Sequence, residues 1–297
     1  MRVFVTGATG FIGSAIVKEL IGNGHQVLGL TRSDAGAQAL AAAGAHVHRG
    51  DLEDLDSLRN GAMQADAVIH CAFDHNFANF VANCEKDQRA IEALGSGLVG
   101  SDRPIIITSG TGMGSGEHGQ PATEDVVNFD HPNPRKLSEQ AGVALARLGV
   151  NVITMRLPQV HDTTRQGLIT PLIAIARDKG VVAYVGEGLN RYPAAHVLDV
   201  ARLYRLALEK RQPDVRYHAV AEEGVTVRDI CEVLGRVLKL PTASIAPEQA
   251  AEHFGWMAMF AGMDLPASSA RTRAALGWNP TGPKLLADLE RLEIPAA

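Results

Sequence analysis

The chain has 297 residues, 46% hydrophobic and 21% charged, with a net charge of −5, enough for one large α/β domain or two lobes around a shared core. The negative balance, and the lack of any basic cluster interleaved with aromatics, exclude a nucleic-acid partner. The longest apolar stretches, such as 167–176, are too short to span a bilayer, the first strand begins too early to leave room for a signal peptide, and three scattered cysteines, Cys71, Cys84 and Cys231, suit reduced buried thiols in a cytoplasmic protein.

The first half alternates short apolar runs with helical periodicity. Arg2–Thr6 reads as a strand, Phe11–Gly22 as a helix, His25–Thr31 as a strand and Asp34–Ala43 as an Ala-rich helix. Ala45–His48 is a third strand, Leu55–Asn60 a short helix, Asp66–Cys71 a strand and Phe77–Leu98 a long helix. Pro104–Ser109 is a strand, Pro132–Leu148 a helix and Val150–Met155 a strand. Strands separated by helices predict a doubly wound parallel sheet with right-handed crossovers. After Leu157 helices dominate: Ile169–Arg177, Val197–Glu209, Val227–Lys239, a Met-rich stretch at 256–263, and Leu285–Leu292, with strands at Val181–Val185 and Arg216–Ala219. The expected division is a dinucleotide-binding part at 1–160 and 194–220, and a smaller, mostly helical substrate lobe at 161–193 and 221–297.

The segment Gly7-Ala8-Thr9-Gly10-Phe11-Ile12-Gly13 ends a strand and opens a helix. Gly7 allows a tight turn, Gly10 lets backbone approach a pyrophosphate, and Gly13 permits close helix–strand packing. The helix N-terminus adds free N–H groups and positive potential. This is a Rossmann dinucleotide site. At the end of the second strand an NAD-selective site wants a carboxylate for the ribose 2′-hydroxyl. The chain has Thr31-Arg32-Ser33 there. Arg32 can pair with a 2′-phosphate and Ser33 can add a hydroxyl, so NADP(H) is the expected cofactor, with NAD(H) as the alternative if Asp34 supplies the acid.

These motifs resemble the short-chain dehydrogenase/reductase superfamily in its extended or atypical form, close to the NAD(P)-dependent epimerases and dehydratases. Beyond the glycine turn, Asp51-Leu52 resembles the pair that meets the adenine. His70-Cys71-Ala72, with Phe73 behind it, resembles the segment that lines the cofactor after the fourth strand. Thr108-Ser109 ends the strand that carries the family's catalytic Ser. Leu157-Pro158-Gln159-Val160-His161 resembles the segment that passes the nicotinamide, and Leu276-Gly277-Trp278-Asn279-Pro280 a C-terminal element.

The family's catalytic Tyr and the Lys four residues after it are missing. None of the four tyrosines, Tyr184, Tyr192, Tyr204 and Tyr217, lies in that region. Anchoring on Ser138-Glu139-Gln140 puts His131 at the Tyr position and Arg135 at the Lys position, with Asp87 in place of a helix Asn. The resemblance therefore implies Ser109, with Thr111 beside it, as the group on the substrate oxygen. It implies His131 as the proton donor at the start of the Pro132 helix, and Arg135 on the nicotinamide ribose. Tyr192 is an alternative phenol. Trp256, Met257, Met259 and Phe260 are either core or the wall of an apolar pocket.

His46 and His48 alternate on a strand without a third ligand, so no metal site is expected. The leading function is NADP(H)-dependent reduction of a small carbonyl, or oxidation of the alcohol. A sugar-nucleotide epimerase or dehydratase and a non-catalytic NADP(H)-sensing protein remain as alternatives. The resemblance also implies a homodimer through the helices at 77–98 and 132–148.

Overall fold

The computed structural model describes residues 1–117 and 119–293; the last four residues of the expected substrate lobe, 294–297, lie outside them. In chain order the first half runs β1 (Arg2–Thr6), α1 (Phe11–Gly22), β2 (Gln26–Thr31), α2 (Asp34–Ala42), β3 (His46–Arg49), α3 (Leu55–Met63), β4 (Ala67–His70), α4 (Phe80–Ser96), β5 (Pro104–Gly110), α5 (Lys136–Arg147) and β6 (Asn151–Leu157). The second half runs β7 (Gln159–His161), α6 (Ile169–Lys179), β8 (Val182–Val185), β9 (Arg191–His196), α7 (Val197–Lys210), β10 (Val215–His218), β11 (Glu222–Thr226), α8 (Val227–Leu238), β12 (Thr242–Ile245), α9 (Ala250–Phe254), α10 (Ala258–Ala261), α11 (Ala270–Leu276) and α12 (Leu285–Glu290).

Seven strands form one sheet in the order β10-β6-β5-β4-β1-β2-β3, and every neighbouring pair is parallel. Successive side chains on a strand point to opposite faces, and both faces here are covered by helices. Val3, Val5, Ile69 and Ile106 pack on one face with Ile16 and Leu20 of α1 and Leu203 of α7. Phe4, Val68, Ile105 and Ile107 pack on the other with Leu58 of α3, Ile91 of α4 and Leu145 of α5. Chain order reverses between β1 and β4, so a crevice opens at the C-terminal ends of these two strands, where ligands bind in such sheets.

Two features differ from the sequence expectation. The helix expected from Pro132 begins at Lys136. Residues preceding proline are pushed out of the helical region, and Pro132 and Pro134 act on His131 and Asn133. The segment 131–135 is instead a chain of local turns: the Asn133 N–H donates to His131 Nδ1 at 3.1 Å and the Arg135 N–H to Asn133 Oδ1 at 2.9 Å. His131 therefore precedes the first helical residue by five positions and does not stand at the helix start expected for it.

The second lobe also holds more strand than its helical periodicity suggests. β11, β9 and β7 form a three-stranded sheet, and β12 pairs with β8. Of these, β8 matches the strand expected at Val181–Val185; β7, β9, β11 and β12 are three to six residues long, too short for a period-2 signal to stand out. Between the pieces of this lobe, α7 packs on α1 and β10 pairs with β6. The second lobe has its own apolar core, built from residues such as Leu172, Tyr192, Ile230, Phe254 and Leu285.

Candidate active site

The glycine turn is shaped by backbone crowding. Gly7 has φ +66, and a Cβ there would sit 2.7 Å from the Ala72 N. A Cβ on Gly13 would fall 2.0 Å from the Gly7 carbonyl oxygen. The turn, the first turn of α1 and the segment 71–72 are thus pressed together, which only glycine allows. Gly10 caps α1 with no side-chain hydrogen bond, and the first helical turn carries no acid. Thr9 and Gly10 are exposed, with Phe11 and Ile12 half-buried behind them. This end of α1 accommodates an anion with free N–H groups and an unopposed dipole, which fits a pyrophosphate.

At the rim, Arg32 is exposed. Ser33 caps α2 by accepting from the Gly36 N–H at 3.1 Å, which leaves its own proton free to donate. Asp34 is ion-paired with Arg49 at the end of β3, so the one acid on this stretch already has a cation. Asp51 is exposed and folds its own turn, accepting from the N–H groups of Glu53 and Asp54, with Leu52 half-buried beside it. Leu157 pairs in register with Gly110; Pro158 is half-buried and Val160 is part of the sheet core. The segment Cys71-Ala72 is tied to β1, the Cys71 N–H donating to the Thr6 carbonyl and the Ala72 N–H to Thr6 Oγ1. Burial pushes the Cys71 thiol up to about 12, so it is protonated and not a nucleophile.

Beyond the crevice lies a buried polar chain whose inner members do not stand out in the sequence. Thr6 Oγ1 and His70 Nδ1 are 2.7 Å apart, and His70 Nε2 lies 3.1 Å from Asp87 Oδ1. The other Asp87 oxygen accepts from Arg135 Nη1 at 2.7 Å and from the Ser138 hydroxyl at 2.6 Å. Arg135 Nη2 donates to the Thr108 carbonyl at 3.0 Å, and the guanidinium carbon stands 4.0 Å over the Phe73 ring. Burial alone would raise the Asp87 carboxyl; the Arg135 charge and the bonds from His70 and Ser138 outweigh it and hold it at about 2. Where the resemblance implies a ribose contact for Arg135, three N–H contacts of its fork go to the protein. Asp87 and Arg135 thus act as one unit, an ion pair under the end of β5.

Ser109 sits on β5 facing α5, and its Oγ is buried with no hydrogen-bond partner in good geometry. It lies near the Glu139 carboxylate, which burial would raise but which the bidentate Arg156, with a smaller contribution from Ser109, keeps ionised. Thr111 is buried in the turn that follows. His131 is half-buried; because Nδ1 accepts from the Asn133 N–H, the ring proton of the neutral form is on Nε2. Burial, and next the Lys136 charge, lower its pKa and favour that neutral form. Among the described residues no hydrogen bond joins His131 to Ser109. Tyr192 is not available as a phenol: it is buried, its OH donates to the Phe260 carbonyl at 2.8 Å, and burial raises its pKa. Of the Met-rich stretch, Met257 and Phe260 are buried while Trp256 and Met259 are exposed. No three His, Cys, Asp or Glu side chains among the described residues converge as metal ligands, and no described helix is long and apolar enough to cross a membrane.

A doubly wound sheet with a glycine turn at its switch point and polar side chains at the end of β5 defines a dinucleotide-dependent protein. Residues 3–221 match the model of the NAD dependent epimerase/dehydratase family, and the chain belongs to that family; its cofactor is accordingly an NAD(P) dinucleotide. An uncharacterized protein of Schizosaccharomyces pombe is 45% identical over 97% of this chain and 98% of its own. One of Saccharomyces cerevisiae is 41% identical over the same shares. The structure of UDP-glucose 4-epimerase of Thermus thermophilus in complex with NAD shares the fold at a TM-score of 0.75, with 20% identity, 98% of this chain and 97% of that one covered.

Proposed function

We propose that the protein is an NADP(H)-dependent oxidoreductase that interconverts a small carbonyl compound and its alcohol. The observation that carries this reading is the Ser109 hydroxyl, buried at the C-terminal end of β5 and without a good partner of its own. That hydroxyl lies against the Glu139 carboxylate without good hydrogen-bond geometry, and a substrate oxygen at this strand end would give it a better-aligned partner. Free Arg32, beside an Asp34 already neutralised by Arg49, supports the 2′-phosphorylated form of the cofactor over NAD(H).

A dinucleotide held at the Gly7–Gly13 turn would supply or accept a hydride at the substrate carbon. The chain's own residues act on the oxygen. Ser109 Oγ donates to it and fixes its place, while Glu139 and Arg156 neutralise each other in the wall behind. His131, neutral with its proton on Nε2, offers the second donor as negative charge builds on oxygen. Arg135 works from below: through Asp87 and the Thr108 carbonyl it positions the strand end that carries Ser109. A sugar-nucleotide epimerase must first deprotonate an alcohol. With the Arg135 charge already spent on Asp87 and the tyrosines elsewhere, the Tyr–Lys device for that step is missing. The test is NADPH consumption across a panel of aldehydes and ketones, run beside isomerisation of nucleotide sugars. Reduction without isomerisation is expected; isomerisation with no net cofactor consumption refutes the proposal, and tight NADPH binding with neither activity favours a sensor.

A further inference from the structure

One buried titratable side chain beside the site takes no part in the reaction above. His70 ends β4, next to Thr6 of β1 in the parallel register, so both side chains lie on one face of the sheet. Thr6, His70 and Asp87 are each buried, which leaves their polar atoms only protein partners. The hydrogens among them have one consistent arrangement. The Ala72 N–H donates to Thr6 Oγ1 at 3.3 Å, and the Thr6 hydroxyl donates to His70 Nδ1 at 2.7 Å. The ring proton then sits on Nε2 and goes to Asp87 Oδ1 at 3.1 Å. The other tautomer would turn a bare nitrogen lone pair on a carboxylate.

Packing does not ask for a polar ring here. The rest of β4, Ala67, Val68 and Ile69, is apolar and buried, and an apolar residue at position 70 would spare the cost of burying an imidazole. Asp87 comes from the buried face of α4 that also carries Cys84, Ala90 and Ile91, again among apolar neighbours. The bonds run between two parts of the site. At one end the Ala72 backbone touches the glycine turn: a Cβ on Gly7 would stand 2.7 Å from the Ala72 nitrogen and 2.9 Å from its Cα. At the other end Asp87 holds Arg135, which donates to the carbonyl just before Ser109. A buried network with every member satisfied is rigid and fixes one geometry.

We infer that His70 is a positioning residue for the cofactor: it locks the Ala72 segment beside the Gly7 turn to the Asp87–Arg135 pair, so that the floor of the dinucleotide site and the strand end carrying Ser109 are held as one body. The inference concerns the dinucleotide site and not the reaction, so the test reads binding. Calorimetric titration gives the dissociation constants of NADPH and NADH, and the tighter of the two is followed. His70→Leu leaves the Thr6 proton and an Asp87 oxygen without their partner and should weaken binding roughly 10-fold. Gln carries an acceptor oxygen and a donor N–H on one planar group, so His70→Gln should stay within about 3-fold of the parent. Likewise Thr6→Val should lose roughly 10-fold and Thr6→Ser less than about 3-fold. Thr272→Val removes an equally buried hydroxyl from α11, one that accepts from the His218 N–H and donates to Glu124. It should cost stability in urea yet keep cofactor affinity within about 2-fold. Thr6 and Asp87 meet through His70, so Thr6→Val combined with Asp87→Asn should lose no more than about 2-fold beyond the worse single variant. A protein that shows all of this and reduces no ketone refutes the reductase reading and leaves this one standing. Unchanged affinity in His70→Leu and Thr6→Val, equal losses in the conservative variants, an equal loss in Thr272→Val, or a double variant that multiplies the single losses overturns the inference. If His70→Leu or Asp87→Asn does not fold, the two Thr6 variants against Thr272→Val decide it.

Discussion

Replacing Arg135 with Met tests whether Asp87 and Arg135 form one unit. Asp87 is 1% exposed and Arg135 14%. In the native protein the carboxyl is held at about 2, against 3.8 for an ordinary aspartate, a difference worth ~2 kcal/mol at neutral pH. That stability is present above 3.8 and is lost as pH falls from there toward about 2. Arg135→Met keeps the length and apolar bulk of the side chain but removes the guanidinium and leaves the buried carboxylate only its contacts with His70 and Ser138. The cost expected at about pH 7 is ~3–5 kcal/mol. Burial now dominates and pushes the carboxyl above its ordinary value. The variant's native state then binds more protons than its unfolded state, so the penalty should shrink as pH falls from about 7 to about 5. Equilibrium urea unfolding of both proteins at the two pH values measures it. Asp87→Asn combined with Arg135→Met should recover most of the loss, because no charge is stranded. A penalty below ~1 kcal/mol, or one that is the same at both pH values, refutes the buried ion pair as the support of this site.

Three further outcomes are expected. Arg32→Ala should weaken NADPH binding roughly 10- to 150-fold, the worth of one charge-assisted pair, with NADH almost unchanged; calorimetric titration of each cofactor checks this, and equal losses show that Arg32 does not read the 2′-phosphate. His131→Phe should lower kcat for ketone reduction by ~10²-fold or more with NADPH affinity nearly constant; full activity in this variant would leave the proton to solvent. His218 donates from Nδ1 to the Ser268 carbonyl and takes a bond from Arg156 at Nε2. Burial, and next the Arg156 charge, lower its pKa from 6.5 to about 4. The unfolded chain takes up that proton first, so stability should fall by on the order of 3 kcal/mol as pH drops through this window, and His218→Leu should flatten the slope in urea unfolding.

The alternating first half was legible because its signals are local. A buried parallel strand reads as an apolar run, an amphipathic helix as a 3.6-residue period, and Gly7, Gly10 and Gly13 meet a backbone demand that shows in the residue types themselves. The cofactor turn, the order of the main elements and Ser109 at a strand end all followed from the chain alone. Which partner a polar side chain takes did not. Asp87 and Arg135 are 48 positions apart and His70 and Asp87 are 17 apart, and only the approach of β4, α4 and the start of α5 turned them into one buried network. In the sequence Arg135 carries no sign of the carboxylate that the fold puts in front of it. Pro132 and Pro134 promised a helix start, yet their effect on the preceding residues delayed it to Lys136. Phe77 and Trp256, 179 positions apart, carry no sequence sign that they touch. Residue types and local periods are carried by the chain itself; burial, ion pairing and the meeting of two lobes depend on contacts distant in sequence, and tertiary structure alone decided them.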